Sequence, residues 1–182
     1  RVFEASHALV RELSQQGLID GVRVDHVDGL CDPATYLERL SAFVGRIWVE
    51  KIVASEEELR RWPVQGATGY QFATDVTALF VDPAAEGPLT DVQRELAGEA
   101  RPFAEISAEA RLQVLDELLG SDVNRLTATL LELRERHRDM RDFSRHELKT
   151  ALRALVAAFP AYRSYLQPGK APDPFDAALV DR

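Results

Sequence analysis

Two short runs with the same alternation constrain this chain most. In Val22-Arg23-Val24-Asp25 the valines fall on one face of an extended strand, and Arg23 and Asp25 on the other. Ile47-Trp48-Val49-Glu50 repeats the pattern, with Trp48 and Glu50 sharing the second face. Between them Asp32-Pro33 offers a helix N-cap and first-turn proline, and Tyr36, Leu37, Leu40, Phe43 and Val44 follow at helical spacing. Strand, helix and strand fit a single right-handed βαβ unit of a parallel sheet. Each strand then ends in a carboxylate just before a turn, where α/β barrels hold their catalytic groups. An Arg–Asp pair closing a strand end is the plainer reading of Arg23 and Asp25. Two carboxylates at the ends of successive parallel strands point instead to the pair that a glycosidase needs.

Three segments carry more specific information: GVRVDHVDGLCDP from Gly21 to Pro33, VEKI from Val49 to Ile52, and RWPVQGATGY from Arg61 to Tyr70. Together they resemble the maltooligosyl trehalose synthase family, in the α-amylase clan of glycoside hydrolases and transglycosidases. The G-x-R-x-D motif of the clan's fourth barrel strand matches Gly21, Arg23 and Asp25, and the acid-bearing fifth strand matches at Glu50. The run from Asp25 to Pro33 and the later W-P-V-x-G-x-T-G-Y narrow the resemblance to the synthases. It extends through Ala158-Phe159-Pro160-Ala161-Tyr162-Arg163. Alanine at position 67 and valine at position 27, where the family carries threonine and proline, are mild departures.

The resemblance implies a partial (β/α)8 TIM barrel, about strands 4 to 6, carrying a large, mainly α-helical inserted subdomain. It makes Asp25 the nucleophile and Glu50 the general acid/base of a retaining mechanism. Arg23, His26, Asp28, Lys51 and Tyr70 are then the substrate-binding candidates, Arg23 also favouring the ionised form of Asp25. Trp48 would give Glu50 a dry setting. Asp28 stands where many amylases carry a lysine, so acceptor-side contacts are expected to differ from theirs. Tyr70 and Trp62 are each open to two readings, a sugar-stacking ring or a buried anchor. His26 is open to a sugar contact or a turn-stabilising role, and Lys51 is expected behind the residues that touch the sugar. The implied substrate is a maltooligosaccharide whose reducing-end α-1,4 bond is converted to α,α-1,1, with no cofactor and no metal. The clan's third carboxylate lies on a seventh strand, outside this chain. Another hydrolase or transglycosidase of the clan, or a helical module that is silent in isolation, are the competing readings.

Charge and composition narrow the classes. A net charge of −8 argues against a nucleic-acid footprint, and 46% hydrophobic content describes a globular chain. No apolar run approaches a membrane span and no signal-peptide pattern opens the sequence, so a cytoplasmic protein is expected. The lone Cys31 fits a reducing compartment and reads as a small buried residue. The chain opens on Arg1 and its only methionine is Met140, so an internal piece of a longer protein is expected.

Three regions follow from the pattern: a barrel segment over 1–68, a helical insertion over 69–159, and a return toward the barrel over 160–182. A helix is expected from Val2 to Leu13, then the βαβ unit, then a loop from Arg60 to Tyr70. Phe72, Val76, Leu79 and Phe80 predict a helix that stops at Asp82-Pro83. Ser55/Glu58, Thr90/Gln93 and Ser144/Glu147 have capping-box spacing. A stripe of leucines between Arg111 and Arg136 predicts one helix, or two meeting at Gly120-Ser121, with the stripe in the core. Ala161 to Leu166 is the candidate sixth barrel strand, the third in this chain, and the proline-rich tail after it reads as a linker followed by the start of a truncated element. His7, His137 and His146 have no metal-like spacing.

Overall fold

The computed structural model describes residues 1–53, 57–98 and 101–180. Packing divides the chain into two compact units, Arg1–Glu86 with Ala161–Arg182, and Gly87–Pro160.

The first unit is built on a three-stranded parallel sheet. Strands β1 (Val22–Val24) and β2 (Ile47–Val49) pair in register, Val22 with Ile47 and Val24 with Val49. Helix α3 (Pro33–Ser41) makes the crossover between them. It starts where the sequence predicts, because the Asp32 carboxylate accepts the Thr35 backbone N–H at 3.0 Å with Pro33 in the first turn. Its inner face puts Leu37 and Leu40 against Val27, Val44, Ile47 and Val49, all fully buried or nearly so. Val22 and Val24 pack against that core from the same side. Gly21 lets the strands close at their start: a Cβ there would lie 2.7 Å from the Arg46 carbonyl oxygen and 2.9 Å from the Trp48 ring.

The third strand, β3 (Gly66–Ala67), is parallel to β2 and lies inside the segment whose glycines and proline read as a loop. Two residues are too few to show an alternation. The strand expected at Ala161–Leu166 is absent; that stretch has no regular structure and instead sends Arg163 and Tyr165 inward. The first helix is also divided, into α1 (Val2–Ser6) and α2 (Ala8–Gln15). The chain leaves helical geometry at His7, whose ring stacks on Phe3 at 4.2 Å and hydrogen-bonds the Tyr36 hydroxyl at 2.9 Å. Helix α4 (Tyr70–Ala78) belongs to this unit, ahead of an Asp82-capped turn at Pro83–Ala85.

The second unit is helical. Helix α5 (Glu86–Ala97) begins four residues before the expected cap, so Thr90 sits inside it; the Asp82-capped turn already starts the spiral. Helices α6 (Phe103–Glu117) and α7 (Gly120–Arg136) are separate, divided at the glycine as one reading of the sequence has it. Helix α8 (Arg145–Ala158) opens with both arms of the Ser144/Glu147 capping box, at 2.7 and 3.2 Å. The box read at Ser55 lies outside the described residues. Leu115, Val123 and Ala157 form a small core with Leu112 and Leu152, while Leu119, Leu126 and Leu133 of the stripe stay 39–43% exposed. After the linker, helix α9 (Pro174–Val180) packs in the first unit through Leu179 and Asp176. No helix among the described residues is long and apolar enough to cross a membrane.

Candidate active site

The three strands end level with one another. Beyond the paired residues, the Glu50 backbone N–H donates to the Val24 carbonyl at 2.8 Å and that of Thr68 to the Val49 carbonyl at 2.9 Å. Asp25, Glu50 and Thr68 therefore stand side by side at one edge of the sheet. Alternation turns Arg23 to the same face, and its guanidinium reaches all three. It lies 2.7 Å from Asp25 Oδ1 and 3.5 Å from Glu50 Oε1, and its Nε donates to Thr68 Oγ1 at 3.0 Å. Arg23 and Asp25 do form the ion pair of the plainer reading, but the same arginine also spans both neighbouring strands.

Asp25 is open to solvent, its side chain 74% exposed, whereas Glu50 is 22% exposed. The Asp25 carboxyl is held below the usual aspartate range, chiefly by a hydrogen bond with the Glu50 carboxyl group and next by one from Arg23.

Glu50 has polar neighbours on its other sides. The His26 backbone N–H donates to Oε2 at 2.9 Å and the Tyr70 hydroxyl to Oε1 at 3.1 Å. The Tyr70 phenol is pushed up by that bond and by the carboxylate's charge. Tyr70 therefore meets the acid with its oxygen. Trp48, expected to keep Glu50 dry, instead lays its ring against Gly21 at the far end of the strand. His26 is a left-handed residue, φ 45° and ψ 51°, a conformation that costs a non-glycine side chain about 1–2 kcal/mol. That turn is what aims its N–H back across the sheet. Gly29 makes room for the ring, since a Cβ at 29 would sit 2.5 Å from His26 Cδ2.

Two of the substrate-binding candidates lie underneath. Asp28 and Lys51 are 8% and 1% exposed, with Lys51 Nζ 3.3 Å from Asp28 Oδ2 and 2.9 Å from Glu57 Oε1. Their heads are engaged with each other and with Glu57 below the strand ends, and a buried ammonium stays charged only with such partners. Thr68 was missed among the site residues, although the T-G-Y run holds it; its role depends on a third strand that the sequence hides. Trp62 is a half-buried anchor set edge-on to Tyr165 at 5.3 Å. Cys31 is exposed, contrary to the buried position expected of it. No cluster of three or more His, Cys, Asp or Glu suited to a metal occurs among the described residues.

No family model matches the chain. A Mycobacterium tuberculosis protein named provisionally as a maltooligosyl trehalose synthase is 40% identical over 129 residues, 69% of this chain and 17% of its own length. The solved maltooligosyltrehalose synthase of Arthrobacter ramosus superposes with a TM-score of 0.76 at 37% identity, over 91% of this chain and 21% of that one. A hypothetical maltooligosyl trehalose synthase of Sulfolobus tokodaii gives 0.76 at 26% identity, over 99% and 22%. This chain spans about a fifth of the length of those relatives. By sequence and by fold alike, it belongs to the maltooligosyl trehalose synthase family.

Proposed function

We propose that the chain carries the nucleophile and the acid/base of an intramolecular transglucosidase acting on maltooligosaccharides. One observation carries this reading: Asp25 and Glu50 stand side by side at the ends of adjacent parallel strands, bridged by the Arg23 guanidinium. A retaining mechanism needs carboxyl groups only about 5–5.5 Å apart, and neighbouring strand ends meet that demand. An Asp25 oxygen attacks the anomeric carbon while Glu50 gives its proton to the departing O4 of the reducing-end glucose. The released glucose then turns. Its anomeric hydroxyl surrenders a proton to Glu50 as that oxygen bonds the anomeric carbon, and the Asp25 ester breaks. The product is α,α-1,1-linked, an isomer of the substrate. No cofactor takes part.

In this reading β1, β2 and β3 are about the fourth to sixth strands of a (β/α)8 barrel, with β3 in the place first given to Ala161–Leu166. Of the inserted helical subdomain expected over 69–159, between a barrel segment over 1–68 and a return over 160–182, residues 69–86 belong to the first unit. The consecutive order and common direction of β1, β2 and β3 support the barrel placement. Arg23 and Tyr70 touch the reacting carboxyl groups and His26 presents its exposed ring at the site's edge. The enzyme works in the cytoplasm.

The test is made in the full-length parent. Asp25→Asn and Glu50→Gln, incubated with maltopentaose, are each expected to lose at least about a thousandfold in kcat, as loss of a catalytic nucleophile or acid does. Wild type should yield a non-reducing product of unchanged mass. Short maltosaccharides in its place would mark a hydrolase of the same clan.

A further inference from the structure

The proposed chemistry uses side chains above the strand ends and leaves the charges buried beneath them without a task. Lys51, Asp28 and Glu57 have side chains 0%, 6% and 4% exposed. Well-packed apolar residues would serve stability as well as such a cluster, so its value lies in the geometry that it fixes. That geometry is specific. Lys51 follows Glu50 directly and Asp28 comes three residues after Asp25, so their ion pair joins the two strand ends from below.

The cluster is held in turn by the segment after Ala161. One nitrogen of Arg163, Nη1, donates to the carbonyls of Asp28 and of Leu30, both at 2.7 Å. The Tyr165 hydroxyl donates to Asp28 Oδ1, the oxygen that Lys51 leaves free. The tyrosine is itself fixed, its N–H on Asp176 Oδ1 at 3.1 Å and its ring facing the guanidinium of Arg163 at 4.9 Å. These bonds grip the turn that begins at Asp25 and contains the left-handed His26. That turn also supplies the N–H held by Glu50.

We propose that Arg163 and Tyr165 are positioning residues for the reaction: acting through Asp28 and Lys51, they set the separation and aim of Asp25 and Glu50. This rests on the catalytic assignment of that pair. Neither residue reaches the reacting atoms, so their loss is expected in turnover and not in substrate binding.

The experiment compares Tyr165→Phe, Arg163→Ala and Arg163→Lys in the full-length parent, with Asp25→Asn alongside. Steady-state kinetics on maltopentaose are read together with the thermal unfolding midpoint. With misplacement by a fraction of an ångström, kcat should fall about tenfold for Tyr165→Phe and about a hundredfold for Arg163→Ala, KM staying within about twofold. Arg163→Lys, which keeps a donor near the two carbonyls, should regain part of the loss. If Arg163→Ala does not fold, Tyr165→Phe decides, since it removes one oxygen and keeps the ring. Folded Tyr165→Phe and Arg163→Lys variants with wild-type kcat, beside an inactive Asp25→Asn, would overturn this inference alone. An active Asp25→Asn would overturn the catalytic assignment and this inference with it.

Discussion

Arg23 does the most at the scale of single residues, because one guanidinium touches the ends of three strands. The sign of its effect on pH dependence follows. A carboxyl whose folded pKa is depressed stays charged as pH falls, until the lowered value is reached. The acid limb of kcat/KM in the full-length enzyme should therefore lie below the usual aspartate range. Arg23→Met should raise that limb toward it, while the remaining bond with Glu50 keeps the shift partial. A limb that does not move would remove Arg23 from this role. Gly21→Ala is expected to cost about 1–3 kcal/mol, because its Cβ would press on the Arg46 carbonyl, a backbone atom that cannot step aside. Denaturant unfolding measures it. Asp25 and Glu50 were legible because alternation puts each at a strand end away from the apolar face, and the motifs around them resemble those of the family. Asp28 and Lys51 were legible as residues close to the strand ends, but not as an ion pair. Chemistry alone assigns a charged side chain to the surface, and only the fold shows that these two are paired inside. The left-handed turn at His26 left no sequence signal, since it depends on a bond to another strand.

Among the elements, those with chemical start signals were legible. Asp32 and Ser144 begin α3 and α8 where their side chains predict. Asp32→Ala is expected to cost about 1 kcal/mol at neutral pH, in the range of lost N-caps. The Asp32 carboxyl is lowered by the Thr35 backbone N–H first and the Thr35 hydroxyl second. Its contribution is therefore full above the ordinary aspartate value and is lost as pH falls through the lowered one. The deficit of Asp32→Ala should accordingly shrink in acid, which urea unfolding at two pH values would check. Thr90, with the same spacing, starts nothing, because the turn at Pro83–Ala85 has already set the helix going. Between β2 and β3 the sequence was least informative. A two-residue strand is defined by its partner, and that information is not local. The buried Lys51 makes a sharper prediction: Lys51→Met removes the ammonium that Asp28 and Glu57 face inside and should cost about 3–5 kcal/mol.

For the whole molecule, the two units differ in how they are held. The first has a core behind its sheet, and the second a smaller core shared by α6, α7 and α8. Each leaves large apolar side chains open to solvent: Phe72 and Phe80 at 74% and 86% in the first, Leu96 and Phe103 at 81% and 83% in the second. Such surface is what a larger assembly of the same family would cover, given that this chain spans about a fifth of its relatives. These 182 residues expressed alone are therefore expected to turn over no maltooligosaccharide, and product formation comparable with the parent's would contradict that. The central claim is that Asp25 becomes covalently glycosylated. The most direct measurement treats the full-length enzyme with a fluorinated α-maltosyl fluoride that slows release of the glycosyl group, and then maps the label by peptide mass spectrometry. The label is expected on the peptide from Val24 to Arg39, at Asp25, and in the Glu50→Gln variant as well, since fluoride leaves without a proton. A label on another carboxylate, or turnover of the probe with no covalent species, would contradict the account.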